Sequence, residues 1–85
     1  MYYTYILKSQ KDNNFYIGQS CNIENRLYKH NSGLVKSTKY RRPLKLVYSE
    51  EYKTLKEARC RELEIKSYKG GNAFKKLIEG RPAIH

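Results

Sequence analysis

The sequence predicts an α+β domain in which helices pack on a small sheet, and three observations lead to this fold class. The chain has 85 residues, which is enough for one domain and too short for two. Short segments rich in aromatic and β-branched residues alternate with segments that carry helix caps and helical periodicity. Taken in order, these segments predict the arrangement β-β-α-β-α-α.

The first two elements are predicted to form a hairpin. Residues 2–8 are rich in aromatic and β-branched side chains and indicate a strand. Residues 9–14 indicate a turn, and residues 15–19 indicate a second short strand. If the loop holds an even number of residues, Tyr5 and Tyr16 lie on the same face of the sheet, because strand side chains alternate.

The first helix carries two polar side chains on its inward side. Asn22 is typical of an N-cap, and Gly33 falls just beyond the predicted end of the helix. The residues of its inward stripe recur at helical spacing; they are Ile23, Leu27 and His30, with Arg26 on the same arc. An arginine and a histidine in these places are unusual for a purely structural helix.

The second half of the chain predicts one strand and two helices. Residues 44–49 indicate the third strand, and Thr54 is a suitable N-cap for a helix that ends near Ser67. Two glycines then break the chain, and Asn72 begins a last short helix. We expect one domain over residues 1–80 and a loose tail over residues 81–85.

Basic residues outnumber acidic ones and are concentrated in one segment. There are 18 lysines and arginines against 8 aspartates and glutamates, a net charge of +10, which points to an anionic partner. Residues 26–49 contain no acidic side chain, and their cations alternate with Ser, Thr and Tyr. This composition favours nucleic acid over a membrane surface. The candidate phosphate contacts of this basic loop (residues 34–45) are Lys36, Lys39, Arg41, Arg42 and Lys45.

Several classes of protein are excluded or disfavoured. With 39% apolar residues in so short a chain, the core is too small for large multi-layer enzymes or nucleotide-cofactor domains. No apolar run could span a membrane and residues 1–10 lack the pattern of a signal peptide, so we expect a cytoplasmic protein. Cys21 and Cys60 have no metal-ligand spacing. We expect both to be small buried side chains and neither to bind zinc or form a disulfide.

Five motifs, taken in order, resemble the GIY-YIG nuclease family. They extend over residues 2–79 and consist of Tyr3-Thr4-Tyr5, Tyr16-Ile17-Gly18, Arg26, His30 and an acidic residue ahead of Ile65-Lys66. The sequences HNSG at residues 30–33 and RRPLKLVY at residues 41–48 are similar to the small stand-alone branch of that family. The resemblance implies a three-stranded antiparallel sheet flanked by helices, which agrees with the order of elements above.

Helical phase distinguishes two candidate acids, Glu62 and Glu64. At roughly 100° per residue, Glu62 falls on the same face as Ala58 and Ile65, and Glu64 falls on about the opposite side. We therefore expect Glu62 to project from the packed face, and the family pattern agrees. The alternative role for Glu62 is an ion pair with Lys66, four residues further on.

The resemblance implies metal-assisted hydrolysis of a phosphodiester that leaves a 5′-phosphate and a 3′-hydroxyl. One divalent cation, Mg²⁺ or Mn²⁺, would bind through Glu62. Arg26 would hold the phosphate and stabilise charge in the transition state. Tyr5 is the candidate general base, Tyr16 would orient water or phosphate, and His30 would relay a proton or contact phosphate. Structural packing is the alternative for the tyrosines and the histidine.

Two departures from the family pattern leave the identity of the base open. The glycine of the first motif is Tyr3 here, and Gln19 stands where some relatives have a lysine that helps the base. A phenol with an ordinary pKa is a poor base at neutral pH unless a nearby cation stabilises the phenolate. Because the lysine that helps the base in some relatives is missing, His30 becomes a candidate for the base beside Tyr5.

A second functional class also fits the sequence: a non-catalytic nucleic-acid-binding module with the same fold. In either class DNA is the expected partner. Its strandedness, RNA as an alternative substrate, and a homodimer or protein partner that supplies specificity are left open. The host process is equally open, with DNA repair and restriction among the candidates.

Overall fold

Three strands and three α-helices follow one another in the predicted order β-β-α-β-α-α. The computed structural model describes residues 1–79, so the expected tail, 81–85, lies outside the described residues. The strands are β1 (Tyr2–Ser9), β2 (Phe15–Ser20) and β3 (Leu44–Tyr52). The helices are α1 (Ile23–Asn31), α2 (Leu55–Ser67) and α3 (Asn72–Glu79), and a short 3₁₀ helix spans Lys39–Arg41. The α+β fold class is confirmed.

The sheet has β1 at its centre, with the strand order β2-β1-β3 and both pairings antiparallel. In the β1–β2 pairing Tyr5 is opposite Gly18 and Leu7 is opposite Tyr16. The innermost pair is Lys8 with Phe15, so an even number of residues lies between paired positions. Tyr5 and Tyr16 therefore share a face of the sheet, as the condition on the loop requires.

Two hydrophobic clusters lie on opposite faces of the sheet. On one face α1 packs through Ile23 and Leu27 against a cluster that contains Tyr5 and Leu7. On the other face α2 and α3 cover a cluster built from Ile6, Ile65 and Phe74. Successive residues of β1 thus alternate between the two clusters, which is the period-2 pattern of a strand covered on both sides.

The helix ends agree with the cap residues predicted from the sequence. Asn22 Oδ1 accepts a hydrogen bond from the Asn25 amide at 3.0 Å. Thr54 Oγ1 accepts from the Glu57 amide at 3.2 Å, and Glu57 Oε1 accepts in return from the Thr54 amide at 3.3 Å. This reciprocal pair closes the first turn of α2. Gly33 follows α1 with φ +80°, a conformation that glycine adopts without steric cost.

The third strand is longer than predicted. It continues past residue 49 to Tyr52, which is paired with Tyr2 of β1. Glu50 and Glu51 interrupt the apolar pattern in the sequence, but the ladder of hydrogen bonds to the central strand extends β3 regardless of that pattern.

The prediction that both cysteines are buried is wrong. Cys21 and Cys60 are free and exposed. Cys21 lies in the connection ahead of the N-cap of α1, and Cys60 is two residues from Ala58, about 200° around the helix from that buried contact. Within residues 1–79 no helix is long and apolar enough to cross a membrane.

Candidate active site

Three aromatic rings meet on the face of the sheet that α1 covers. The centroid of the Tyr5 ring lies 6.4 Å from that of Tyr16 and 6.1 Å from that of His30. The centroids of Tyr16 and His30 are 4.8 Å apart, with the rings in an edge-on arrangement. The two tyrosines of the sheet and the histidine of α1 therefore form one packed cluster.

Gly18 provides the space that this cluster needs. It is opposite Tyr5 in the β1–β2 pairing. A Cβ atom at this position would lie 2.7 Å from the Tyr5 hydroxyl and 3.1 Å from the Tyr16 ring. Any larger residue would push the two phenols apart, so the glycine of the second motif has a steric role in the site.

The guanidinium of Arg26 faces the two phenols from α1. Its interaction with the Tyr5 hydroxyl, reinforced by Tyr16, raises the pKa of Arg26 above its ordinary value. Within residues 1–79 no acidic side chain forms an ion pair with Arg26. A half-buried arginine without a carboxylate partner is suited to bind an anion such as a phosphate group.

Burial dominates the acid–base behaviour of Tyr5. The residue is 2% exposed, and this burial raises its pKa, although the interaction with Arg26 acts in the opposite direction. The charge of Glu62 also raises the pKa of Tyr5, so this carboxylate lies within electrostatic reach of the phenol. Tyr5 is therefore a neutral phenol at neutral pH in the free protein.

His30 is buried and uncharged. Burial, together with the charge of Arg26, lowers the pKa of His30 to about 4. Its Nε2 atom lies 3.2 Å from the Tyr5 hydroxyl, and its Nδ1 atom lies 2.7 Å from Oγ1 of Thr38. Sequence reasoning missed Thr38, because nothing in the local pattern distinguishes it from Ser37; only the path of the loop brings it to His30.

Helix α2 separates the two candidate acids in the way that helical phase predicts. The Glu62 side chain is 15% exposed, and the Glu64 side chain is 56% exposed. Glu64 forms an ion pair with Arg61, with Oε1 3.0 Å from Nη1. Glu62 Oε2 accepts a hydrogen bond from Lys66 Nζ at 2.7 Å. The ion pair that the sequence offers as an alternative for Glu62 therefore forms, with a lysine that is itself 49% exposed.

The residues that the structure describes offer a divalent cation one carboxylate. Within residues 1–79 no three His, Cys, Asp or Glu side chains are close enough to hold a metal ion together. Glu62 is the acid whose charge reaches the phenol cluster. A single carboxylate suits Mg²⁺, which keeps several water molecules and completes its coordination with phosphate oxygens. The residues present therefore fit a hard divalent ion that arrives with its water and substrate.

The basic loop presents most of its cations to solvent. Exposed are Lys36, Lys39, Arg42 and Lys45. Lys45 is directly opposite Lys8 of β1, and two like charges in that position favour an anion between them. Tyr40 is 76% exposed, and Lys39 Nζ lies 5.5 Å from the centre of its ring. An exposed ring among cations can stack on a nucleobase.

Arg41, the fifth candidate phosphate contact of the basic loop, is engaged in contacts with other residues of the protein. Its Nη2 donates to the Phe15 carbonyl at 3.2 Å, and its Nε lies 3.4 Å from Asp12 Oδ2. The Arg41 carbonyl accepts a hydrogen bond from the Ser9 hydroxyl at 2.7 Å. Arg41 thus fastens the end of the basic loop to the β1–β2 hairpin, and its contact with phosphate stays a prediction.

Known proteins resemble this chain over most of its length. Residues 1–75 match the family model described as the GIY-YIG catalytic domain. A UPF0213 protein of Staphylococcus saprophyticus is 45% identical over 80 residues, which cover 93% of this chain and 96% of that protein. A UPF0213 protein of Staphylococcus haemolyticus is 43% identical over 79 residues, covering 92% of this chain and 95% of that protein.

A solved structure shares the fold. The solution NMR structure of a UPF0213 protein from Bacillus halodurans aligns with a TM-score of 0.61 and 29% sequence identity, and covers 99% of this chain and 89% of that chain. The fold and the matched family model are those of a small domain of a nuclease family. The chain belongs to the GIY-YIG family, as its motifs predict.

Proposed function

We propose that this protein is a divalent-metal-dependent endonuclease that hydrolyses DNA phosphodiester bonds and leaves a 5′-phosphate and a 3′-hydroxyl. One observation carries the proposal: Arg26, without an ion-pair partner in residues 1–79, faces the phenols of Tyr5 and Tyr16, and Tyr5 also lies within reach of the Glu62 charge. In this proposal Arg26 of α1 is the anion-binding cation, Tyr5 of β1 the proton-transfer group and Glu62 of α2 the metal-binding carboxylate. Membership of a nuclease family supports the same activity.

Arg26 binds the scissile phosphate in this proposal. Its planar guanidinium can hold two phosphate oxygens at once and remains charged at any physiological pH. The group is half-buried, so its charge is screened less than that of an exposed arginine. It can therefore stabilise the extra negative charge that develops on the phosphate oxygens in the transition state.

Tyr5 is the general base, and His30 receives the proton that Tyr5 gives up. The Tyr5 hydroxyl is 3.2 Å from His30 Nε2, so the phenol can pass its own proton to the imidazole as it takes one from water. In the free protein the charge of Arg26 helps to keep the pKa of His30 at about 4. A bound phosphate would neutralise that charge and raise the basicity of His30 when the substrate is present. The adjacent Tyr16 orients water or phosphate through its hydroxyl.

Glu62 holds the metal ion in this proposal. A bound Mg²⁺ or Mn²⁺ supplies Lewis-acid stabilisation of the phosphate. The Glu62 carboxylate contributes a hard oxygen ligand, and the partly exposed Lys66 that pairs with it can turn to solvent or to a second phosphate.

The basic loop binds the DNA backbone around the cleaved bond. Its exposed cations contact phosphates, and Tyr40 is available to stack on a base. These contacts carry little sequence information, so we expect selectivity to depend on the shape of the nucleic acid or on a homodimer or other protein partner.

One observation favours the second candidate, a non-catalytic nucleic-acid-binding module. Glu62 is paired with Lys66, and a neutralised acid would no longer repel a phosphate bound at Arg26. In such a module the tyrosine cluster would serve the core, and Glu62 would serve only the ion pair.

A cleavage assay with matched acid variants distinguishes the two candidates. Labelled single-stranded, duplex, nicked and branched DNA, with RNA of the same sequence, are incubated with the full chain and Mg²⁺, Mn²⁺ or chelator. We expect metal-dependent cleavage by the parent and none by Glu62→Gln at any metal concentration. Glu64→Gln is the control on the same helix, and because Glu64 faces solvent we expect it to cleave at the parent rate.

DNA binding by Glu62→Gln is measured in parallel by fluorescence anisotropy. It should persist or tighten, because a negative charge near the phosphate is removed. Cleavage that depends on Glu64 and not on Glu62 would overturn the assignment of the acid. A parent that binds DNA but cleaves none of the substrates would make the binding module the correct function.

A further inference from the structure

A buried threonine of the basic loop completes a chain of hydrogen bonds behind the site. Thr38 and His30 are both fully buried, with 0% of each residue exposed. Thr38 Oγ1 is 2.7 Å from His30 Nδ1, and His30 Nε2 is 3.2 Å from the Tyr5 hydroxyl. Three polar groups away from solvent thus depend on one another, and the direction of each hydrogen bond decides which imidazole nitrogen carries the proton.

The Tyr5 end of the chain gives the first direction. A phenol has one proton to donate and lone pairs to accept with. The charge of Arg26 acts on the Tyr5 hydroxyl, and a guanidinium has donors only, so Arg26 cannot accept the phenol proton. Within residues 1–79 the Tyr5 proton then has His30 Nε2 as its acceptor. This arrangement favours an unprotonated His30 Nε2.

The contacts of Thr38 are consistent with the same tautomer. Within residues 1–79, beyond His30, the Thr38 hydroxyl has the Val35 carbonyl, 3.5 Å away, as an acceptor. A hydroxyl that donates to this carbonyl presents a lone pair to His30 Nδ1. His30 Nδ1 then carries the proton and donates it to Thr38. Both ends of this hydrogen-bond chain are thus consistent with the same neutral tautomer.

We propose that Thr38 is a positioning residue that holds His30 in the Nδ1–H tautomer, so that Nε2 is free to accept the Tyr5 proton. Free imidazole side chains in water favour the opposite tautomer, with the proton on Nε2, so a fixed acceptor at Nδ1 is needed to reverse that preference. The catalytic consequence rests on the proposed nuclease function, whereas the tautomer itself does not.

The proton transfer that this tautomer permits balances as follows. Water forms a bond to phosphorus and loses a proton to the Tyr5 oxygen, while the original Tyr5 proton moves to His30 Nε2. The bond from phosphorus to the 3′ oxygen breaks, and that oxygen takes a proton from solvent. His30 is left as an imidazolium that still donates from Nδ1 to Thr38, and it returns its proton to solvent before the next turnover.

The opposite tautomer would block this transfer. With the proton on Nε2, His30 would donate to Tyr5 and could not accept its proton. A comparable loss of the correct tautomer is costly in enzymes where a buried group orients a catalytic histidine.

The ¹⁵N chemical shifts of the His30 imidazole test the tautomer directly. The full chain is labelled in its histidines, and a His85→Gln background removes the second histidine signal. At pH 7 the parent should show a protonated Nδ1 and an unprotonated Nε2. A parent with the proton on Nε2 would overturn the proposal outright, whatever any variant does.

Two substitutions of Thr38 supply the matched comparison. Thr38→Ser keeps the hydroxyl and should keep the Nδ1–H tautomer. Thr38→Val keeps the shape but removes the hydroxyl, and should shift the population toward Nε2–H. An unchanged tautomer in a folded Thr38→Val would contradict the assignment to Thr38. If Thr38→Val does not fold, Thr38→Ala takes its place, and the parent spectrum still decides the tautomer.

Cleavage kinetics test the consequence for the reaction. We expect kcat to fall by on the order of tenfold or more in Thr38→Val with KM unchanged, and to return in Thr38→Ser. A Thr38→Val variant with a shifted tautomer and the parent kcat would show that the tautomer has no catalytic role. Absence of cleavage by the parent would refute the nuclease function. The ¹⁵N spectra would then test the tautomer on their own.

Discussion

Two clusters in this protein contain the same kinds of side chain and differ in how those side chains are paired. The first is the candidate site, which contains Tyr5, Tyr16, Arg26 and Glu62. The second joins β3 to α2 and contains Tyr48, Tyr52, Glu50 and Arg61. Each of these sets has two phenols, one arginine and one glutamate, and Arg61 also contacts Glu64 and Tyr68, so the kinds of residue alone do not tell the clusters apart.

In the β3–α2 cluster the charged groups are paired with one another. Arg61 binds Glu50 through two hydrogen bonds, Nε to Oε1 at 2.9 Å and Nη2 to Oε2 at 3.1 Å. The hydroxyls of Tyr48 and Tyr52 both donate to the same carboxylate. Burial, with the hydrogen bonds to Glu50, raises the pKa of each phenol to about 12. Every charged group has its partner, so this cluster stabilises the packing of α2 on the sheet and has no group left for a ligand.

In the candidate site the charged groups are less completely paired. Arg26 has no carboxylate partner within residues 1–79, and Glu62 is paired with a lysine that is half exposed to solvent. The phenols face the arginine and are not bonded to the glutamate. The availability of a charge, and not the presence of particular residue types, therefore distinguishes the candidate functional cluster from the structural one.

The largest expected effect comes from removing the two arginines in turn. Arg26→Ala should lower the cleavage rate by at least about 10³-fold, because the transition-state charge loses its main partner, while stability changes by less than about 1 kcal/mol. Arg61→Ala should leave the cleavage rate per folded molecule unchanged and lower the free energy of unfolding by about 2 kcal/mol, because Glu50 loses its ion pair. Cleavage kinetics and urea unfolding of both variants measure the contrast. An Arg26→Ala variant that is unstable but fully active would reverse the roles of the two clusters.

Removal of one phenol hydroxyl from each cluster sharpens the same comparison. Tyr5→Phe keeps the ring and its packing, so we expect the fold to survive while the cleavage rate falls by on the order of 10²-fold or more. Tyr48→Phe should cleave at the parent rate and lose about 1 kcal/mol of stability, the cost of one hydrogen bond to a charged group. Equal cleavage by parent and Tyr5→Phe would make Tyr5 structural and leave His30 or metal-bound water as the base.

The pH dependence of stability tests the burial of His30. Its pKa is about 4 in the folded protein and about 6.5 in an unfolded chain. Between these values the unfolded chain binds the extra proton, so stability is fully present above about pH 6.5 and is lost as the pH falls toward 4. From pH 7 to pH 5 the free energy of unfolding should fall by about 2 kcal/mol more in the parent than in His30→Gln. The same slope in both proteins, measured by urea unfolding at each pH, would mean that His30 titrates normally when folded.

The smallest effects concern the salt dependence of DNA binding by the basic loop. Lys39→Ala removes an exposed cation and should reduce the slope of log K against log salt by somewhat under one unit. Arg41→Ala removes a cation that Asp12 and the Phe15 carbonyl already engage, so its slope should change less. Binding titrations at several salt concentrations compare the two variants. A larger change for Arg41→Ala would show that Arg41 leaves its intramolecular partners to contact phosphate.

Much of the fold could be predicted from the sequence because its determinants are local. The caps at Asn22 and Thr54, the glycine after α1 and the alternation along β1 each act within a few residues. The exceptions follow from contacts that a local pattern does not contain. The extension of β3 to Tyr52 depends on its pairing with β1, and the exposure of Cys21 depends on where the chain turns between β2 and α1.

The family, the order of the elements and the separation of Glu62 from Glu64 could all be predicted from the sequence, because motif spacing and helical phase are properties of the polypeptide. The folded structure is needed to show that, within residues 1–79, Arg61 has a carboxylate partner and Arg26 has none. Arg26 and Arg61 are alike in sequence, but the pairing of β1 with β3 brings Glu50 within reach of Arg61 and not of Arg26. The structure likewise decided that Thr38 contacts His30, because a hydrogen bond across a loop depends on the path of the backbone and not on residue type.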